Sequence, residues 1–119
     1  MRVMNPRIES KPELTGGYLL SEEKEPSEVQ IVVPLTEEVD DQWTDILRSW
    51  LGPDGPTTVV WDIEEPSSLV IWVETDRVRA SLYAFADALP NANETHKQTV
   101  EALEAIEGAI DRWWADRSS

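Results

Sequence analysis

From residue 28 onward the chain switches between two hydrophobic periods, one suited to strands and one to helices. In EVQIVVPL (28–35), Val29, Ile31 and Val33 share one face, and Pro34 ends the ladder because it lacks an N–H. A helical stripe follows: Val39, Trp43, Ile46, Leu47 and Trp50 recur at three- and four-residue steps. Thr36 is the expected N-cap, and Glu37, Glu38, Asp40 and Asp41 suit the positive end of the helix dipole. GPDGP (52–56) stops this helix. Two strand-like runs come next, within VVWDIEEPSSLVIWVE (59–74). A second helix is expected from Thr75 or Asp76 to about Leu89, with Val78, Leu82, Phe85 and Leu89 inward. Pro90-Asn91-Ala92-Asn93 breaks it, and a third helix runs from about Glu94 to Asp116, with Val100, Ile106, Ile110 and Trp113 inward.

The expected order is β-α-β-β-α-α, an α+β fold with a three- to four-stranded sheet and helices packed on one face. In topology it resembles part of a ferredoxin-like arrangement whose closing strand is replaced by a helix, a likeness that implies no activity. Residues 1–27 hold Pro6, Pro12, Gly16, Gly17, Pro26 and the run SEEKEPSE. They read as an irregular or partly disordered arm with a short strand around Gly17–Leu20, ahead of a single domain over 28–119.

The hairpin places two tryptophans by parity. Val59, Trp61 and Ile63 alternate with Val60, Asp62 and Glu64; Leu69, Ile71 and Val73 alternate with Val70, Trp72 and Glu74. An even loop pairs Trp61 with Trp72 but sets Asp62 and Glu64 against Ile71 and Leu69. Burying those carboxylates costs on the order of several kcal/mol, against ~0.5–1.5 kcal/mol for an aromatic pair. An odd loop aligns Ile63 with Leu69 and Trp61 with Ile71 and keeps the acids outside. Trp61 is therefore expected in the core. Trp72 is expected on the second face beside Val60 and Val70, among Asp62, Glu64 and Glu74.

Charge sharpens this picture. The chain carries 24 acids and 10 bases, a net −14; fifteen of the acids and only two of the bases fall within residues 22–76. Such a field repels nucleic acid and anionic membranes and attracts basic proteins. No cysteine is present, which fits a reducing cytoplasm, and no signal peptide or membrane-spanning run is evident.

Candidate chemistry is sparse. Asp62, Glu64 and Glu74 would form a carboxylate cluster able to hold Mg²⁺ or Ca²⁺, but no second motif supports one, and a solvated acidic face explains them. His96, the single histidine, is expected exposed near the start of the third helix, and nothing favours a catalytic pair with Ser81 or Ser49. GPDGP lacks the Lys-Ser/Thr of a phosphate loop. Trp114 is expected on a helix flank, available for a homodimer or another partner; the acidic polar face disfavours membrane binding.

The reading that follows is a small acidic, non-enzymatic, cofactor-free binding protein. It would act on a basic partner in the manner of an immunity protein or inhibitor, through Trp72, Val60, Val70, Asp62, Glu64, Glu65 and Glu74, with Glu37, Asp40 and Asp41 as a second acidic group. The alternative is a dimeric regulatory domain with a ligand pocket between sheet and helices.

Overall fold

The computed structural model describes residues 3–20 and 26–118, with the side chains of 16–27 left aside. Four strands form one antiparallel sheet in the order β1-β2-β4-β3: β1 (Glu13–Leu20), β2 (Pro26–Pro34), β3 (Thr58–Trp61) and β4 (Ser68–Glu74). Two helices, α1 (Asp41–Trp50) and α2 (Val78–Ser118), complete an α+β fold. The chain order is thus β-β-α-β-β-α, which differs from the expected order at both ends.

At the start, the strand expected around Gly17–Leu20 is the second half of an eight-residue strand that pairs with β2. The part of the charged run at 21–25 lies outside the described residues. Ahead of β1, residues 4–9 are irregular but tied down. Their amides bond to His96, Glu37, Thr36 and the Pro34 carbonyl, and the Pro6 carbonyl accepts from Asn93.

At the end, the expected second and third helices are one helix of 41 residues that runs through Pro90. Proline in a helix interior removes one hydrogen bond and crowds the preceding turn, at a cost of roughly 3 kcal/mol. Packing on both sides of it opposes the break. Phe85, Ala88 and Leu89 before Pro90, and Ala92, His96 and Val100 after it, are all buried. Asn93 also accepts from the Trp43 indole at 2.9 Å and donates to the Pro6 carbonyl. A turn at 90–93 would forfeit all of these.

Helix α1 begins later than its sequence suggests. Asp40, not Thr36, is the N-cap, its carboxylate accepting from the Trp43 amide at 2.9 Å. Thr36 is engaged elsewhere, exchanging two hydrogen bonds with the Arg7 backbone. Val39 is still buried, but ahead of the helix.

One core unites these elements. Ile31 and Val33 of β2, Val59 of β3, and Leu69, Ile71 and Val73 of β4 meet Trp43 and Leu47 of α1 and Phe85, Ala88, Leu89 and Ala92 of α2. All these strand residues share one sheet face, as the alternation requires. Among the described residues, no helix is long and apolar enough to cross a membrane.

Beyond Val100, α2 leaves the body of the protein. No residue from 101 to 118 is buried, and the molecule measures 72 × 27 × 24 Å. Ile106, Ile110 and Trp113, expected to face inward, are exposed because no other element among the described residues reaches them.

Candidate interaction surface

The hairpin obeys the parity argument but not its detailed register. Trp61 pairs with Leu69, Val59 with Ile71 and Thr58 with Trp72, so the connection between the last paired residues, 62–68, is odd in length. Trp61 and Trp72 therefore point to opposite faces. Ile63, expected to pair with Leu69, is 80% exposed in the loop. The Asp62 amide still donates to the Ser68 carbonyl, but its carboxylate accepts from the Glu64 amide, an Asx-type turn that bends the chain away before Ile63. Trp61 is only half-buried, because β3 is an edge strand; it packs against the core while its indole donates to Asp41.

Trp72 lies near the centre of the outer face, paired with Gln30 of β2 and Thr58 of β3. It is half-buried, as are Val70 and Val32, while Val60 is 40% exposed. Among the described residues, neither helix covers this face, since both pack on the other. The apolar centre Val32–Val60–Val70–Trp72 is accordingly a surface feature.

The predicted carboxylates divide into two groups. Glu74 stands at the far end of β4, directly across from Glu28, which accepts from the Thr57 hydroxyl at 2.8 Å. Arg77 lies 3.6 Å from Glu74 and from Asp54. Asp62, Glu64 and Glu65 lie beyond the opposite end, six strand residues or about 20 Å away. The cluster Asp62–Glu64–Glu74 considered for a metal therefore does not assemble. Among the described residues, no three His, Asp or Glu side chains are arranged to hold a metal ion.

A different grouping forms in its place. The Val39 amide donates to the Pro66 carbonyl and the Leu35 amide to Ser67, which seats the hairpin loop against the segment leading into α1. The Trp61–Asp41 bond adds a side-chain link. Glu37, Asp40 and Asp41 thus share one end of the molecule with Asp62, Glu64 and Glu65. Several already have structural work: Asp40 caps α1, Glu37 accepts from the Asn5 amide and Asp41 holds Trp61. Asp62, Glu64 and Glu65 form no ion pair among the described residues, and Glu64 and Glu65 are exposed.

His96 is not at an exposed helix start. It is 1% exposed in the middle of α2, and its Nδ1 accepts from the Met4 amide at 3.2 Å. Burial lowers its pKa from the ordinary histidine value, against the opposing pull of the Asp40 and Glu37 charges. Ser81 donates to the Asp54 carbonyl and Ser49 to that of Ile46, so neither is paired with His96. The role of His96 as a link between the N-terminal segment and α2 had no signal in the sequence, because its partner is a backbone amide.

Two clefts flank the sheet-facing side of α2. One of about 440 Å³ lies between β1, β2 and the first turns of α2, lined by Leu14, Val29, Ile31, Val78 and Leu82. The other, of about 630 Å³, lies between residues 3–8 and the region around Pro90. Trp114 is 60% exposed on the projecting end of α2. No family model, curated protein or solved structure matches this chain.

Proposed function

We infer that this is a non-enzymatic protein-binding module that recognises a basic partner through the outer sheet face, in the manner of an immunity protein or inhibitor. The observation that carries the reading is Trp72 beside the apolar row Val32–Val70–Val60 on a sheet face that neither helix covers. Acids border it at both ends: Glu28 and Glu74 on one side, Asp62, Glu64 and Glu65 on the other. An aromatic anchor within a polar rim is the usual anatomy of a protein interface. The acidic ends would steer a cationic partner and fix its register.

The test compares tagged wild-type protein, Trp72→Ala and the double variant Glu64→Lys/Glu65→Lys in cross-linking mass spectrometry at low salt. The expected result is a basic protein captured by wild type, lost with Trp72→Ala and released when salt is raised to about 0.5 M, where screening shortens to a few ångströms. A bound set indifferent to both variants and to salt would refute the reading.

A second reading, a ligand-binding regulatory domain, has one observation in its favour. The 440 Å³ cleft between sheet and helix falls in the size range of small-molecule sites, roughly 300–1,000 Å³. Enhanced fluorescence of an apolar dye, abolished by Leu82→Glu, would support it; no enhancement would remove it.

A further inference from the structure

The projecting end of α2 carries an apolar stripe against which, among the described residues, nothing packs. At 100° per residue, Leu103, Ile106, Ile110, Trp113 and Trp114 fall within about 100° of one another. Ile110 is 56% exposed and Trp113 58%. Ala102 and Ala109 lie beside the stripe and permit close approach, while Glu101, Glu104 and Arg112 lie on the other side of the helix. The two indoles sit 6.1 Å apart, and the Arg117 guanidinium lies 5.5 Å from the Trp113 ring.

We propose that this segment is a homodimerisation helix that pairs antiparallel with the same segment of a second copy, with Ile110 at the two-fold axis. Three observations select a second copy in that orientation. The first is length. The body ends at Val100, the last buried residue, and residues 101–118 extend about 27 Å beyond it at 1.5 Å per residue. With Ile110 on the axis, Ser118 of one copy lies opposite Ala102 of the other, so the two stripes overlap from end to end and the bodies stay apart.

The second is charge. Glu101, Glu104 and Glu107 give the first half of the projection three uncompensated acids, whereas Asp111 and Asp116 are balanced by Arg112 and Arg117 in the second half. A parallel pair would align the acid-rich halves. An antiparallel pair sets each against a neutral half, and brings Arg117 to Leu103 of the second copy, within a turn of that copy's Glu104 and Glu107.

The third is area. Each tryptophan offers roughly 150 Å², taken as its exposed share of the ~250 Å² that the residue can bury. With the isoleucines, Leu103 and the alanines, each copy contributes roughly 500 Å². The pair would bury about 1,000 Å², the lower bound for a specific interface. The dimer is isologous and closes on itself, leaving no stripe free for further growth. It also leaves the outer sheet face unused, so it stands independently of the reading above.

The test uses the full chain. Sedimentation equilibrium should give twice the 13.5 kDa chain mass at micromolar concentration. Ile110→Glu, which opposes two carboxylates at the axis, should weaken association at least roughly 30-fold, the threshold of an interface hot spot. Because Ile110 lies outside the core, melting of the monomer fold should not change. The chain has no cysteine, so orientation can be read by single replacements. Leu103→Cys and Arg117→Cys should form a disulfide when mixed and not when alone. A wild-type monomer at about 100 µM, an Ile110→Glu variant that dimerises as well as wild type, or cross-linking by each cysteine variant alone would overturn the proposal.

Discussion

Replacing Pro90 with alanine tests the continuity of α2 directly. Pro90 lies on the exposed side of the helix, twelve residues after its first residue Val78, and has no N–H to offer the Ala86 carbonyl. Alanine restores that hydrogen bond and removes the ring's clash with the preceding turn, a gain of roughly 3 kcal/mol. The unfolded chain regains freedom that proline denied it, which costs about 0.4–1 kcal/mol. The net expectation is stabilisation by about 2 kcal/mol. For a chain of this length that corresponds to a rise in Tm of roughly 6–10 °C. Urea denaturation followed by far-UV circular dichroism measures it, with an unchanged m-value as the control that only the native helix has improved. Were residues 90–93 a turn between two helices, proline would suit its site and alanine would lower stability by about 0.4–1 kcal/mol. A fall in stability therefore refutes the single helix.

Three further outcomes are expected. Trp43→Phe removes the indole N–H and leaves the part-buried Asn93 side-chain oxygen without that donor, at a cost of about 1 kcal/mol in chemical denaturation. Ile63→Asp should change stability by no more than ~0.5 kcal/mol, whereas Ile71→Ala should cost about 2–5 kcal/mol; equal losses would mean that Ile63 pairs inside the hairpin after all. Because burial lowers the His96 pKa in the folded state, the unfolded chain binds the proton more readily. Stability should therefore be full above the unfolded value of about 6.5 and decline as pH falls below it. The decline should be absent from His96→Asn, as read by denaturation midpoints between pH 7.5 and pH 5.5.

What could be read from residue order was local and periodic. The strands β2 and β4, the α1 stripe and the opposed tryptophans followed from alternation and from the cost of burying Asp62 and Glu64. That reasoning fixed the face of each residue but not the end of β3, because one side-chain turn at Asp62 stops the strand two residues early. It also split α2 at Pro90, since local propensity counts the lost hydrogen bond and cannot count Asn93 binding Trp43 and Pro6 from across the fold. Among the candidate site residues, Trp72, Val60 and Val70 share the face expected of them. Glu74 stands apart from Asp62, because facing the same side says nothing of separation along the strand. The meeting of Asp41 with the hairpin loop depends on backbone bonds from Leu35 and Val39 to Ser67 and Pro66, which no spacing rule anticipates.

The ties between residues 4–6 and α2 bear on how the protein is made. Met4 and Pro6 leave the ribosome well ahead of their partners His96 and Asn93, which follow 92 and 87 positions later. At about 5–20 residues per second, the opening segment waits on the order of 5–20 s before the surface it docks against has been synthesised. Until then it cannot take its native place, and Trp43 lacks the Asn93 acceptor that fixes it. Closure of this fold on the ribosome is therefore timed by the emergence of the middle of α2, and a ribosome stalled before Asn93 is added would hold a nascent chain that cannot close.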